Sequence, residues 1–198
     1  MDFKIIITII IGAVLVNNYV LRQFLGVCPF LGVSKDIKSA MGMGSAIIFV
    51  MILATAVTWP VQKYLLDPNG LGYLQTIVFI LIIATLVQIV EIVLKKFIPS
   101  LYRTLGIYLP LMTTNCALFA VTIVNIKNEH TYIESLFNAF GSGLGFFLGM
   151  VIFSSIREYT ENADPPQSFK GLPLTLISAA LLSFSFFGFN GVIENLFR

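Results

Sequence analysis

Six long stretches of the chain carry no Asp, Glu, Lys or Arg: Ile5–Leu21, Ser39–Gln62, Pro68–Val90, Thr104–Ile126, Ser135–Ile156 and Gly171–Ile193. A membrane-spanning helix needs roughly 17–25 mostly apolar residues, and all six stretches are that long. The pattern predicts six transmembrane helices joined by short connections, with no soluble domain. The first stretch does not read as a cleaved signal peptide, because Asn17, Asn18 and Arg22 follow where small residues would mark a cleavage site.

Composition agrees. Of 198 residues, 57% are hydrophobic and 11% charged, against about 25% charged in a soluble domain, and the mean hydropathy is +0.91. Arg22, Lys35, Lys38, Lys95, Lys96, Arg103, Arg157 and Lys170 fall on one side of the expected bundle, and Lys4, Lys63, Lys127 and Arg198 on the other. Short loops rich in Lys and Arg stay in the cytoplasm, so both termini are expected outside. Two cysteines supply no disulfide framework and leave the redox compartment open.

The two halves resemble each other. Ala40-Met41-Gly42-Met43-Gly44 and Ala139-Phe140-Gly141-Ser142-Gly143 both read Ala-x-Gly-x-Gly, and Leu71-Gly72 falls opposite Lys170-Gly171 at the same spacing. Asp67-Pro68 and Asp164-Pro165 precede them, and Cys28 and Cys116 each begin a Cys-x-x-x-x-Val ending at Val33 and Val121. A three-helix unit repeated in one chain enters the membrane the opposite way the second time, which gives an inverted repeat. The expected architecture is therefore an all-α membrane domain over 1–198, with repeats of about 1–97 and 98–198 and with helices 1 and 4 broken. Gly42, Gly44, Gly141, Gly143, Gly145 and Gly149 read as close-packing residues; no lysine follows them as a phosphate loop requires.

The breaks are expected at the cysteines. A straight helix from Ile5 would reach Cys28 after roughly 36 Å, beyond a hydrocarbon core of about 30 Å, and Gly26 and Pro29 flank the cysteine. Cys116 follows Pro110, Thr113, Thr114 and Asn115, whose polar groups would satisfy a released backbone. Matching breaks in two halves are where membrane proteins place functional sites, and thiolates bind soft metals and iron–sulfur clusters. The competing readings are small apolar fillers or a disulfide. Two thiolates are half of a cluster's set of four, so a cluster would need a second chain.

Other polar residues leave alternatives open. Arg22 either faces an aqueous path or snorkels to the surface. Glu91 pairs with Lys95 one turn on, Asn17, Asn18 and Asn115 bond between helices or to broken backbone, and His130 is expected to be solvated. No Ser/His/Asp set, zinc spacing or intramembrane carboxylate pair can be assembled, so no catalytic residue is assigned.

The segments 16–21, 24–35, 101–111 and 114–117, with Ile156-Arg157-Glu158, Ala163-Asp164-Pro165-Pro166 and Phe169-Lys170-Gly171, resemble the membrane-subunit family that includes the A subunit of the Rnf electron-transport complex and the E subunit of the sodium-pumping NADH:quinone reductase, Nqr. Asn17-Asn18 and Cys28-Pro29-Phe30 resemble the Rnf branch. The tail Val192–Arg198 is longer than the family pattern.

The resemblance implies a multi-pass subunit of a bacterial or archaeal cytoplasmic membrane, paired with a paralogue, the Rnf E subunit. Each partner would give two cysteines, here Cys28 and Cys116, to the iron of one intramembrane [2Fe–2S] cluster. Flavins and further clusters would sit on the other subunits (B, C, D and G). The complex would move electrons between ferredoxin and NAD⁺ and couple this to Na⁺ or H⁺ transport; nucleic acid plays no part. The alternatives are the Nqr E subunit and, from another class, an inverted-repeat secondary transporter, which would be expected to carry intramembrane charges at its breaks.

Overall fold

The computed structural model describes residues 8–16, 18–33, 37–97, 115–162, 166 and 169–188. Asn17, Lys35, Arg103, Pro110, Thr113, Thr114, Asp164, Pro165 and the tail beyond Gly188 lie outside the described residues. The described residues are helical, with no strand among them.

The first helix ends in a π-helical turn, Gly12–Val16, and an irregular stretch leads to a short helix α1, Val27–Val33. Helix α2 spans Ile37–Val61 and runs on through a second π turn, Gln62–Leu66, just after Pro60. A 3₁₀ turn, Gly72–Leu74, leads into α3, Gln75–Phe97. Then come α4, Cys116–Lys127, α5, Tyr132–Asn162, and α6, Leu172–Phe187.

Among the described residues three helical stretches are long and apolar enough to cross a bilayer: Ile37–Leu66, Gly72–Val93 and Tyr132–Thr160. They coincide with the second, third and fifth charge-free runs. Two shorter apolar helices, Cys116–Lys127 and Leu172–Phe187, overlap the fourth and sixth. In the first run helix is described over 8–16; from Asn18 the chain is irregular, and helix begins again at Val27, beyond the end of the run.

Hydrophobic burial does not distinguish core from surface in lipid, so helices must be held by close packing and hydrogen bonds. The apolar residues are accordingly on both sides. Helix α3 buries Phe79, Ile83 and Val87 at helical spacing and exposes Ile77, Ile80, Leu81, Ile89 and Ile92. Helix α6 buries Thr175 and Leu182 and exposes Leu172, Leu176, Leu181 and Phe184.

The centre is the crossing of α2 and α5. A Cβ on Gly44 would lie 2.5 Å from the Phe147 ring, and one on Gly143 would lie 3.1 Å from the Ile48 Cα. The two Ala-x-Gly-x-Gly motifs therefore meet each other's helices, and the close-packing reading holds for Gly44 and Gly143. The opposite face of α5 receives the first helix, with Gly141 against Ile10 and Gly145 against the Ala13 and Val14 backbone. Phe146, Met150 and Phe153 of α5 and Met43, Ile47 and Met51 of α2 fill the space around this crossing.

At one end of the bundle, Trp59 ties α2 to the α4–α5 connection. Its Nε1 donates to the His130 carbonyl at 2.9 Å, and its ring meets Tyr132 edge-on with centroids 5.3 Å apart. The Lys63 ammonium lies 4.7 Å from the ring centroid, a cation–π contact.

Gly143→Leu should destabilise the protein by about 1–3 kcal/mol, because the helix backbones would have to separate. Gly72→Ala, where an added Cβ meets nothing within 4 Å, is the control. Thermal inactivation of the detergent-purified protein measures both; equal midpoints would show that the α2–α5 contact is not close-packed.

Candidate functional site

The first break is organised by Asn18, which is 2% exposed. Its Nδ2 donates to the Gly145 carbonyl at 2.7 Å, and its Oδ1 accepts from the amides of Val20 at 3.1 Å and Leu21 at 3.4 Å. One side chain thus replaces several partners that a continuous helix would have supplied internally. The chain then turns through two left-handed residues, Phe24 (φ 53°) and Gly26 (φ 83°), conformations that favour glycine. Helix α1 begins at the next residue, Val27. Pro29 is not the breaker that its position suggested. It sits in the first turn of α1, where its missing N–H leaves no helical bond unmade, and the interruption lies upstream at Phe24–Gly26.

The second cysteine is the first residue of α4. Asn115 caps that helix: its Oδ1 accepts from the Ala117 amide at 3.0 Å, the usual role of an N-cap side chain. Asn115 is 3% exposed.

The first break and the start of α4 interlock. A Cβ on Gly26 would lie 2.8 Å from the Asn115 Oδ1, 2.9 Å from the Phe146 ring and 3.3 Å from the Ala117 Cβ. The backbone two residues before Cys28 is therefore pressed against the residues on either side of Cys116. Both cysteines are exposed and neither is in a disulfide, so neither is a buried filler. The amide dipoles of α4 favour negative charge at its first residue. Among the described residues no group of three or more His, Cys, Asp or Glu is placed to hold a metal ion; the pair of thiols is what this chain presents.

The remaining sequence candidates are dispersed. Arg22 is exposed in the irregular stretch beyond Asn18. Glu91 and Lys95 lie near the end of α3. His130 differs from expectation: its Nδ1 is buried and its carbonyl is held by Trp59, because the α4–α5 connection folds onto α2. Tyr19, Asn125, Asn138 and Ser142, unremarked in the sequence, are buried polar residues close to the first break or on α4 and α5. Their signal was available in the fifth charge-free run, where Ser135, Asn138 and Ser142 recur at the spacing of one helix face.

Comparison with known proteins follows the same segments. The family model described as "Rnf-Nqr subunit, membrane protein" matches residues 6–193. The A subunit of the Na⁺-translocating ferredoxin:NAD⁺ oxidoreductase complex of Acetobacterium woodii is 54% identical over 94% of this chain and 97% of its own length. The A subunit of the ion-translocating oxidoreductase complex of Syntrophotalea carbinolica is 50% identical over 96% of this chain and 98% of its own. The protein of the same description from Aliivibrio fischeri is 48% identical, with 94% and 96% covered.

Gly26→Ala should cost about 1–3 kcal/mol, through both a left-handed φ and a clash with Asn115. Asn115→Ala should cost about 1 kcal/mol through the lost cap, and Asn115→Asp should retain most of it. Thermal unfolding of the purified protein ranks the three; an Ala variant at position 26 as stable as the parent would contradict the interlock.

Proposed function

We propose that this chain, which belongs to the Rnf–Nqr family of membrane subunits, is the A-type subunit of an ion-translocating ferredoxin:NAD⁺ oxidoreductase and relays electrons within the bilayer. The observation that carries the reading is the interlock of Gly26 with Asn115 and Ala117, which puts the two cysteine-bearing helix starts side by side. Support for the complex comes from relatives named as the A subunits of such oxidoreductases.

The donor set fits half of a [2Fe–2S] site. Cys28 and Cys116 are exposed and outside any disulfide, and thiolates are the ligands such clusters take, four at a time. A cluster bound there would supply one-electron transfer. The other two thiolates would come from a paralogous E subunit seated against the exposed cysteines. Within this chain, Asn18 and Asn115 hold the backbone on which the cysteines stand, and Gly26 sets how closely the two segments approach.

The same reading makes the chain a six-span inverted repeat in the cytoplasmic membrane. The meeting of the two Ala-x-Gly-x-Gly motifs at the α2–α5 crossing supports a two-fold relation between halves. The eight-to-four division of Lys and Arg supports the termini, the 67–70 turn and the α4–α5 connection being outside.

Cys28→Ser and Cys116→Ser should each abolish the cluster of the co-expressed A/E pair while leaving both subunits inserted, because serine is a poor soft-metal ligand. This chain expressed without the E subunit should hold no stable cluster. Iron content and the paramagnetic-resonance signal of the reduced pair are the measurements. Full iron in either variant, or about one cluster per two copies of this chain with no partner present, would overturn the assignment.

Orientation is tested separately. Asn69→Cys should react with an impermeant thiol reagent from outside the cell and Phe169→Cys only from the cytoplasmic side, scored by peptide mass spectrometry. The reverse result would invert the topology.

A further inference from the structure

A chain of buried polar contacts runs from one end of the bundle to the first break, and the electron relay proposed above does not use it. It begins at a cavity of about 280 Å³ lined by Trp59, Gln62, Lys63, Asp67, Glu129 and His130 among others. The His130 amide donates to the Asn125 carbonyl at 3.1 Å. Asn125 in turn bonds the Ser135 carbonyl at 3.3 Å and accepts from Asn138 Nδ2 at 2.6 Å. Tyr19 lies against Asn138 and Ser142. One turn further along α5, the Gly145 carbonyl accepts from Asn18, which holds the break. Ser135 to Gly145 covers about 15 Å of helix rise, half of a hydrocarbon core of about 30 Å.

This seam is not fully satisfied by the protein. Among the described residues, the buried side-chain atoms left without a partner include Gln62 Oε1 and His130 Nδ1 at the cavity and Ser135 Oγ on α5. Ser135 and Gln62 are both more than nine-tenths buried. Gln62 donates its Nε2 to Asp67 Oδ1 at 2.7 Å, which fixes its amide so that the unused atom is the oxygen. Such atoms are tolerated in an interior where a small polar guest completes them. Two of these three atoms are oxygens, and the third is the imidazole nitrogen of His130. At the mouth, Asp67 and Glu129 stand just beyond the C-terminal ends of the α2 π turn and of α4, where helix dipoles favour positive charge. Lys63 is the opposing charge there, with its ammonium over the Trp59 ring.

We infer that this seam is a hydrated half-route admitting a small alkali cation from the Asp67/Glu129 cavity to the Asn18 break. Hydroxyl, amide and carbonyl oxygens are the donors that replace the water of such an ion.

X-ray hydroxyl-radical footprinting of the unmodified complex is the first test, since it marks side chains beside bound water. Tyr19, only 5% exposed, should be modified at least fivefold faster than Phe153, which is 0% exposed and off the seam. Equal rates would overturn the route. The second test uses Ser142→Cys and the lipid-facing control Leu81→Cys in sealed vesicles, treated with 2-aminoethyl methanethiosulfonate. Peptide mass spectrometry scores Cys28 and Cys116 apart. Position 142 should react at least tenfold faster than position 81, and Na⁺ or Li⁺ should slow it at least threefold relative to a large organic cation at equal ionic strength. Reaction no faster than at position 81 would overturn the route, and indifference to the small cations would overturn the ion assignment. Neither readout involves the cluster, so the proposed function and this route fail separately.

Discussion

A backbone that leaves the helical path inside a bilayer has no water to turn to, and that constraint organises this molecule. Each N–H or C=O released at a break must find a partner within the protein. Asn18 supplies three contacts at the first break, counting its bond to Gly145 and those from Val20 and Leu21. Asn115 caps the helix that starts the second segment. Because Asn115 also lies against Gly26, the first break and the start of α4 support one another. The thiols of Cys28 and Cys116 are carried by this arrangement.

The α2–α5 crossing makes the arrangement possible in packing terms. Gly44 and Gly143 let the two long helices approach closely, while Gly141 and Gly145 accept the first helix on the other face of α5. The bond from Asn18 depends on that approach, since its acceptor is the carbonyl of Gly145 itself. A larger residue at 145 would separate the helices and would pull the acceptor away from the break, so dispersion contacts and hydrogen bonding are coupled at one residue.

Much of this was legible in the chain. Charge-free runs located α2, α3 and α5 because a spanning helix has to exclude charge over its whole length. The Ala-x-Gly-x-Gly motifs located their crossing because only small residues allow it. Cys28 and Cys116 were singled out by position, and their proximity then followed from Gly26 and Asn115. What the sequence did not reveal was tertiary. Pro29 is read as a breaker until its place in the first turn of α1 is known, and His130 is read as solvated until Trp59 is seen to hold it. Nor does any local pattern indicate that Tyr19, more than a hundred residues earlier in the chain, lies against Asn138 and Ser142 on α5.

The π turn at Gly12–Val16 has a further evolutionary consequence. A π turn accommodates one residue more than α-helical winding does, and each residue of an α-helix advances the face by about 100°. The spacing from Ile10 to Ala13 and Val14, all against α5, therefore carries a phase that a single insertion or deletion would destroy. Substitutions in this stretch can be absorbed one at a time, but a change in its length would rotate these residues away from α5. Descent with length variation should accordingly be confined to the connections, with this segment behaving as a fixed-length spacer.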